Sequence, residues 1–263
     1  PKHLSFDEFK SVKSASGAMS FIFCNSETGN IIDIVEDRRL YVLTNYFLKY
    51  SKLARNNVET IVIDMYSPYI PLIKSLFRKA RIIIDKFHIV QLFSRSLNKT
   101  RIRAMNQDKN NYNKLKKYWK LLLKDASNVD SSTYKYHRSF KRLMSEYDII
   151  EYLLDLDPQL KASYLLYNKI RYYLKTKDFN SLNVLVSSSN DNVSDYMKTS
   201  IKTIKKYISY IANTLEYGFT NGTIEEINNK IKVIKRIAFG FRSFYHFKNR
   251  ILITKNLATL RMA

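Results

Sequence analysis

"TIVIDMYSPY" (60–69) and "RIIIDKFHIV" (81–90) decide how this chain folds. Each is a run of β-branched residues that ends in an aspartate, Asp64 in the first and Asp85 in the second. Short β-branched runs followed by helical spacing are the strands of an α/β sheet. Burying a carboxylate is costly unless it is paired or bound to metal. At the carboxyl end of a strand that cost is avoided, because the side chain projects into the crevice where α/β proteins hold their ligands. A single aspartate there is also a common helix N-cap. Two in succession favour a site.

Working outward, residues 1–96 alternate between the two periodicities. "HLSFDEF" (3–9) is a strand carrying Asp7, and "AMSFIFCNSETGNIIDIVEDR" (18–38) is two strands around the turn signal "SETGN". "RLYVLTNYFLKYSKLAR" (39–55) has helical spacing, and "SPYIPLIKSLFRKA" (67–80) is a helix with proline near its start. "HIVQLFSRSLNKTRIRAM" (88–105) is a further helix. The predicted order is β-β-β-α-β-α-β-α: a three-strand meander, then helix-linked parallel strands, as in an RNase H-like mixed sheet. Residues 97–213 change character. Helical spacing dominates, no strand pattern is evident, and 22 Lys and Arg face 11 Asp and Glu. This stretch reads as an all-helical insertion, with most of its tyrosines packing in its core or on helix faces, base stacking as the alternative for a minority, and Trp119 in its core. Residues 214–263 return to the α/β part. Ile224, Ile227, Ile231, Ile234 and Ala238 form one helical stripe, with Glu225, Asn229, Lys232 and Arg236 on the polar side. Thr223 and Glu226 have capping-box spacing. From Asn228 to the end there are nine basic residues and no acidic one.

Composition narrows the function. A net charge of +22 points to a polyanion, and nucleic acid is its natural candidate. No apolar run reaches membrane-spanning length and no signal-like N-terminus is present, so a membrane partner is not expected. Five Gly and four Pro argue against a turn-rich all-β fold. The single cysteine, Cys24, sits in a strand pattern and excludes an internal disulfide or a Cys-rich zinc site. The chain starts at Pro1 rather than Met, as a piece of a longer protein would.

In the expected sheet Asp7 and Asp64 lie on neighbouring strands, and a glutamate from a late helix can join them. Three hard oxygen ligands suit magnesium or manganese. Two such ions can clamp the attacking and leaving oxygens of a phosphodiester. An acidic centre in a basic surround fits a DNA-cutting enzyme.

The chain resembles the DDE transposases of the ISL3 insertion-sequence family. The matching motifs are "FDEF" (6–9), "VIDMYSPY" (62–69), "ARIIIDKFHIVQ" (80–91) and "TNGTIEEINNKIKVIKRIAFGFRSF" (220–244). The helical insertion falls where that family has one. The resemblance implies a catalytic and metal-binding triad of Asp7, Asp64 and Glu225, with Mg2+ as cofactor and Mn2+ as substitute. It gives Asp85 and His88, the Asp-x-x-His of "DKFH", a supporting role; otherwise Asp85 caps the next helix and His88 packs in its first turn. One departure matters. The family usually has glycine after the catalytic glutamate, whereas this chain has Glu226, which helix geometry alone leaves as an alternative. Lys230, Lys232, Lys235, Arg236 and Arg242 are the expected DNA contacts, or else a solvated helix face. The implied reaction is cleavage at element ends followed by strand transfer to target DNA. It implies a dimer or larger assembly on DNA, in the cytoplasm of a bacterium and associated with the nucleoid. The zinc-binding and helix-turn-helix region that precedes the core in that family has no counterpart in these residues. The rivals are a catalytically inactive or domesticated DNA-binding remnant and a simple RNase H-like nuclease.

Overall fold

In the computed structural model, residues 1–254 are described. The chain divides into two compact units. One comprises Pro1–His88 together with residues 210–254, and the other is Ile89–Ser209.

The first unit is built on a mixed five-stranded sheet. Its strands are β1 (His3–Lys10), β2 (Met19–Asn25), β3 (Ile31–Val35), β4 (Thr60–Ile63) and β5 (Arg81–Ile84). Their order across the sheet is β3-β2-β1-β4-β5. The pairs β1–β2 and β2–β3 are antiparallel, while β1–β4 and β4–β5 are parallel. The meander of short turns and the helix-linked parallel strands thus share one sheet, as the patterning requires. The turn between β2 and β3 places Gly29 at φ +70°. A Cβ there would lie 2.3 Å from Thr223 Cγ2, so only glycine suits both the backbone and the close approach.

Side chains alternate along β1. Phe6 packs with Phe21, Phe47 and Phe77 on the face covered by α1 (Leu40–Leu48) and α3 (Tyr69–Leu76). The expected first helix is broken after Leu48, and α2 (Lys52–Asn56) restarts behind the N-cap Ser51. The other face carries Phe9, Ile22 and Ile34 against Ile224, Ile227, Ile231 and Ile234 of α11 (Gly222–Ile237) and Phe247 and Ile251 of α12 (Phe244–Thr254). The isoleucine stripe is buried as its spacing predicts. Ala238 is not part of it: it is the exposed C-cap of α11.

Edge strand β5 is closed by α10 (Asp195–Tyr217). Asn213 Nδ2 donates to Ile82 O (2.8 Å), and the Thr214 hydroxyl accepts from Ile84 N and donates to Ile84 O (3.1 and 2.7 Å). Those backbone groups would otherwise be left unpaired on an edge.

The second unit holds most of α4 (Lys86–Gln107), then α5 (Tyr112–Lys117), α6 (Trp119–Leu123), α7 (Glu146–Leu154), α8 (Pro158–Thr176), α9 (Phe179–Ser187) and the first part of α10. It is not all-helical. A hairpin of β6 (Lys135–His137) and β7 (Arg142–Met144) interrupts the expected helix over 137–157. Strands of three residues are too short to register as a period, and Ser145 starts α7 only after them, through a capping box with Asp148. Trp119 is 38% exposed rather than core. Tyr164, Tyr167 and Tyr207 are buried, but Tyr134, Tyr136, Tyr147, Tyr172 and Tyr196 are exposed.

Candidate active site

The parallel register builds the site. Ser5 pairs with Val62, and Ile63 pairs with Ile84. Two residues past Ser5 stands Asp7; two past Val62 stands Asp64; one past Ile84 stands Asp85. The three carboxylates therefore share one level across three adjacent strands. β4 separates β5 from β1, so Asp85 lies beside Asp64 and one strand farther from Asp7.

Residues of α4 and α11 close over this row. His88, in the first turn of α4, approaches Asp64 Oδ1 at 3.0 Å, Glu225 Oε1 at 3.4 Å and Asp85 Oδ2 at 3.9 Å through Nε2. Asp64, Asp85 and His88 offer ligand atoms within 4.8 Å of one another. A cavity of 180 Å3 beside them is lined by Asp7, Glu8, Asp64, Met65, Tyr66 and His88, among others. Glu225 lies in the first turn of α11, on the side facing His88. Glu226 points to solvent and pairs with Lys230. The capping box expected from Thr223 and Glu226 does not form, because α11 starts at Gly222 and its N-cap is Asn221.

Asn221 is a residue the sequence reading missed. An N-cap asparagine ordinarily accepts a hydrogen bond from the first turn, but here the side chain makes no cap bond. Its Nδ2 donates instead to Asp64 Oδ1 (3.2 Å) and Phe6 O (3.4 Å). Asn228, two turns on along α11, donates to Asp7 Oδ2 at 2.6 Å. Glu8 N donates to the other oxygen of Asp7 at 2.7 Å. An asparagine next to a helix start looks like an ordinary cap, and one inside a helix such as Asn228 looks like an ordinary polar position, so no sequence signal marked these two.

Electrostatics follow from the packing. Burial, then the Asp64 charge, push the Asp7 carboxyl up to about 7, although the Glu8 N–H opposes this. Burial also raises the Asp85 carboxyl, while His88 pulls it down. For His88, burial disfavours the charge, but the hydrogen bond and charge of Asp64, with Asp85 and Glu225, more than offset it and raise its pKa. The amino end of α11 adds positive potential near these carboxylates. Glu8 leaves on the opposite face of β1, where it pairs with Arg38 and accepts from Tyr69 OH (2.7 Å), a structural role.

The donor set fits a hard divalent cation: oxygen ligands dominate, and three buried atoms next to it, Asp85 Oδ2, Asn221 Oδ1 and Asn228 Oδ1, have no hydrogen-bond partner. Among the expected cations, Lys232 meets Asn229, and Arg236 and Arg242 are exposed. Lys235 is differently placed. It donates to the carbonyls of Lys10 and Ser11 (2.8 and 2.9 Å), tying α11 to the end of β1. The last basic residues of the chain, beyond 254, lie outside the described residues.

Comparison with known proteins places the chain in a family. A family model, DDE_Tnp_ISL3, described as "Transposase", matches residues 4–251. The transposase for insertion sequence element IS1001 of Bordetella parapertussis is 25% identical over 202 residues, covering 74% of this chain and 47% of that protein. A Lactococcus lactis subsp. lactis protein named "ATP-dependent protease" is 40% identical over 110 residues, 42% of this chain and 35% of its own length. The chain thus spans less than half the length of either relative. No solved structure matches. Among the described residues, no helix is long and apolar enough to cross a membrane. With a family match that runs from the first strand to the last described helix, the chain belongs to the ISL3 family of transposases.

Proposed function

We propose that this chain is the catalytic core of a DDE transposase, cutting DNA at the ends of its element and joining the freed strand to target DNA. The observation that carries this reading is the shared level of Asp7 and Asp64 on adjacent parallel strands, with His88 bridging Asp64 to Glu225. The strand order β3-β2-β1-β4-β5 supports an RNase H-like assignment of the sheet, with residues 97–213 as its insertion.

Asp7, Asp64 and Glu225 would hold magnesium, or manganese in its place. When bound, the metal supplies Lewis acidity to the phosphodiester and lowers the pKa of the attacking water. Access supports this choice for Asp64 and Glu225, and the shared strand level supports it for Asp7. The side chains of Asp64 and Glu225 are 32% and 35% exposed, whereas that of Asp85 is 1% exposed and cannot reach a substrate. Asp85 and His88 therefore support the site: Asp85 Oδ1 accepts from Phe87 N at the start of α4 (3.4 Å), and His88 balances the carboxylate charge. Asn221 and Asn228 fix the rotamers of Asp64 and Asp7. In the first step a water oxygen attaches to phosphorus, the P–O3′ bond breaks and the departing oxygen takes a proton. In the second, that 3′ hydroxyl loses its proton, attacks a target phosphorus and displaces a 3′ oxygen there. The chain supplies positioning and charge for both. Lys230, Lys232, Arg236 and Arg242 would take phosphates, with Lys235 beside them. Work on paired element ends calls for a dimer or larger assembly, acting in the bacterial cytoplasm.

The test is strand cleavage of element-end DNA with magnesium, with manganese and with chelator, for the native protein and Asp64→Asn. Metal-dependent cleavage that Asp64→Asn loses while still binding DNA is the expected result. Equal cleavage by the variant makes Asp64 structural; binding without cleavage by the native protein favours the inactive remnant.

A further inference from the structure

The β6–β7 hairpin of the second unit takes no part in the chemistry above. Its four-residue turn is closed by Phe140 N and Lys141 N, which both donate to His137 O at 2.9 Å. Register pairs Tyr136 with Leu143 and Lys135 with Met144, so alternate residues leave on opposite faces. The inner face is anchored. Met144 is buried, His137 Nδ1 lies 3.1 Å from Tyr118 OH, and the Phe140 ring packs edge-on against Tyr152. The outer face is open: Tyr136 and Leu143 stand side by side, 65% and 62% exposed, with exposed Tyr134 just before them.

Charge adjoins this apolar pair. Lys135, Arg138, Lys141 and Arg142 are all exposed, Arg138 and Lys141 in the turn and Lys135 and Arg142 on the side of Met144 and His137, and residues 131–145 contain no Asp or Glu. The carboxylates at the margins are engaged elsewhere. Asp130 accepts from Ser132 N and Thr133 N, Glu146 pairs with Lys124, and Asp148, though near Arg142, closes the capping box of α7. Lys141 sits at φ 54°, a left-handed position that glycine or asparagine fills with less strain.

We propose that this ribbon is a second DNA-contacting surface, with the turn cations Arg138 and Lys141 on phosphates, Lys135 and Arg142 adding charge from the other side of the strands, and the Tyr136–Leu143 pair against sugar and base edges. A two-stranded ribbon is a shape the major groove of B-DNA admits. Turn cations at the end of an apolar pair complement a duplex, which has anionic backbones and apolar edges in the groove between them. The proposal rests on the DNA reading above, and it adds a contact outside the carboxylate site.

Binding of a short labelled duplex is followed by anisotropy across a salt series, without divalent ions, for the full chain. Arg138→Gln/Lys141→Gly/Arg142→Gln removes three cations while easing the turn. It should weaken binding about tenfold or more and lower the log–log salt slope by roughly 2, at about 0.9 for each of the two turn cations. Tyr136→Ser/Leu143→Ser should weaken binding with little change of slope. Lys202→Gln/Lys205→Gln/Lys206→Gln on α10 removes the same charge from exposed positions elsewhere in the unit and should do much less. Melting curves confirm that each variant is folded; if the triple ribbon variant is not, Lys141→Gly alone should still lower the slope by about 0.9. Equal losses in the ribbon and α10 variants, or none in either, overturn the ribbon and leave the catalytic reading standing. A native protein that ignores duplex DNA at low salt overturns both.

Discussion

Asp7→Asn should stabilise the metal-free protein. The Asp7 carboxyl is pushed from an ordinary 3.8 up to about 7 by burial and then by the Asp64 charge. The sign follows from the direction. A carboxyl raised on folding contributes stability that is complete below its unfolded pKa and is lost as pH rises through its folded one. The window is therefore the interval between those two values. At 1.36 kcal/mol for each pKa unit, ionising Asp7 opposes folding by at most ~4 kcal/mol. The residue is not wholly dry and its surroundings can relax, so about 2 kcal/mol is the working figure. Asparagine keeps the local bonds. Its carbonyl can accept from Glu8 N as Asp7 does, and Asn228 can turn its amide so that the partnerless Oδ1 accepts from the introduced amide. Urea unfolding in chelator should show the variant ahead at about pH 8, with the gap closing toward about pH 4. In melting temperature the gain is roughly 4–8 °C for a chain of this size. Added magnesium should reverse the order, since a ligand that binds the native state stabilises it by RT ln(1 + [L]/Kd) and the variant lacks a ligand oxygen. A variant less stable than the native protein at the higher pH in chelator, or a gap indifferent to pH, would refute the placement of Asp7 in a desolvated acidic pair.

Glu225→Gln should fold normally and lose strand cleavage. Glu226→Gln should cleave normally and give up only an exposed pair with Lys230, worth about 0.3–0.5 kcal/mol; cleavage and melting measured on both variants test the register. Asn228→Ala should leave DNA affinity alone but weaken Mn2+ binding in calorimetry, because Asp7 loses the bond that orients Oδ2. An unchanged manganese affinity would make Asn228 a packing residue. Gly29→Ala should lower the melting temperature by a cost of at least ~1 kcal/mol, since φ is +70° and Thr223 Cγ2 stands where the new methyl would go; a neutral result would mean that the turn rearranges freely.

Much of the first unit was legible because its signals are local. The β-branched runs at 60–63 and 81–84, the isoleucine stripe of α11 and the meander turns each report which side of an element meets the core, and burial of apolar surface enforces that pattern. Asp7, Asp64 and Glu225 were singled out partly by strand ends and partly by motif. The hairpin β6–β7 escaped because three-residue strands carry no period, and Trp119 because a large apolar side chain is a weak indicator of burial when only one face of a short helix is covered.

The strand and helix alternation and the acids that end strands follow from neighbours a few residues apart, and the basic charge from composition alone, so all three could be read from the amino acids in order. Only the tertiary structure decided that Asp85 belongs beside Asp64, that Asn221 abandons its cap for a carboxylate, that Lys235 ties down the end of β1 and that Glu226 faces solvent. Each of those outcomes depends on a partner far away in the chain, whose distance is set by strand register and helix docking rather than by any local preference.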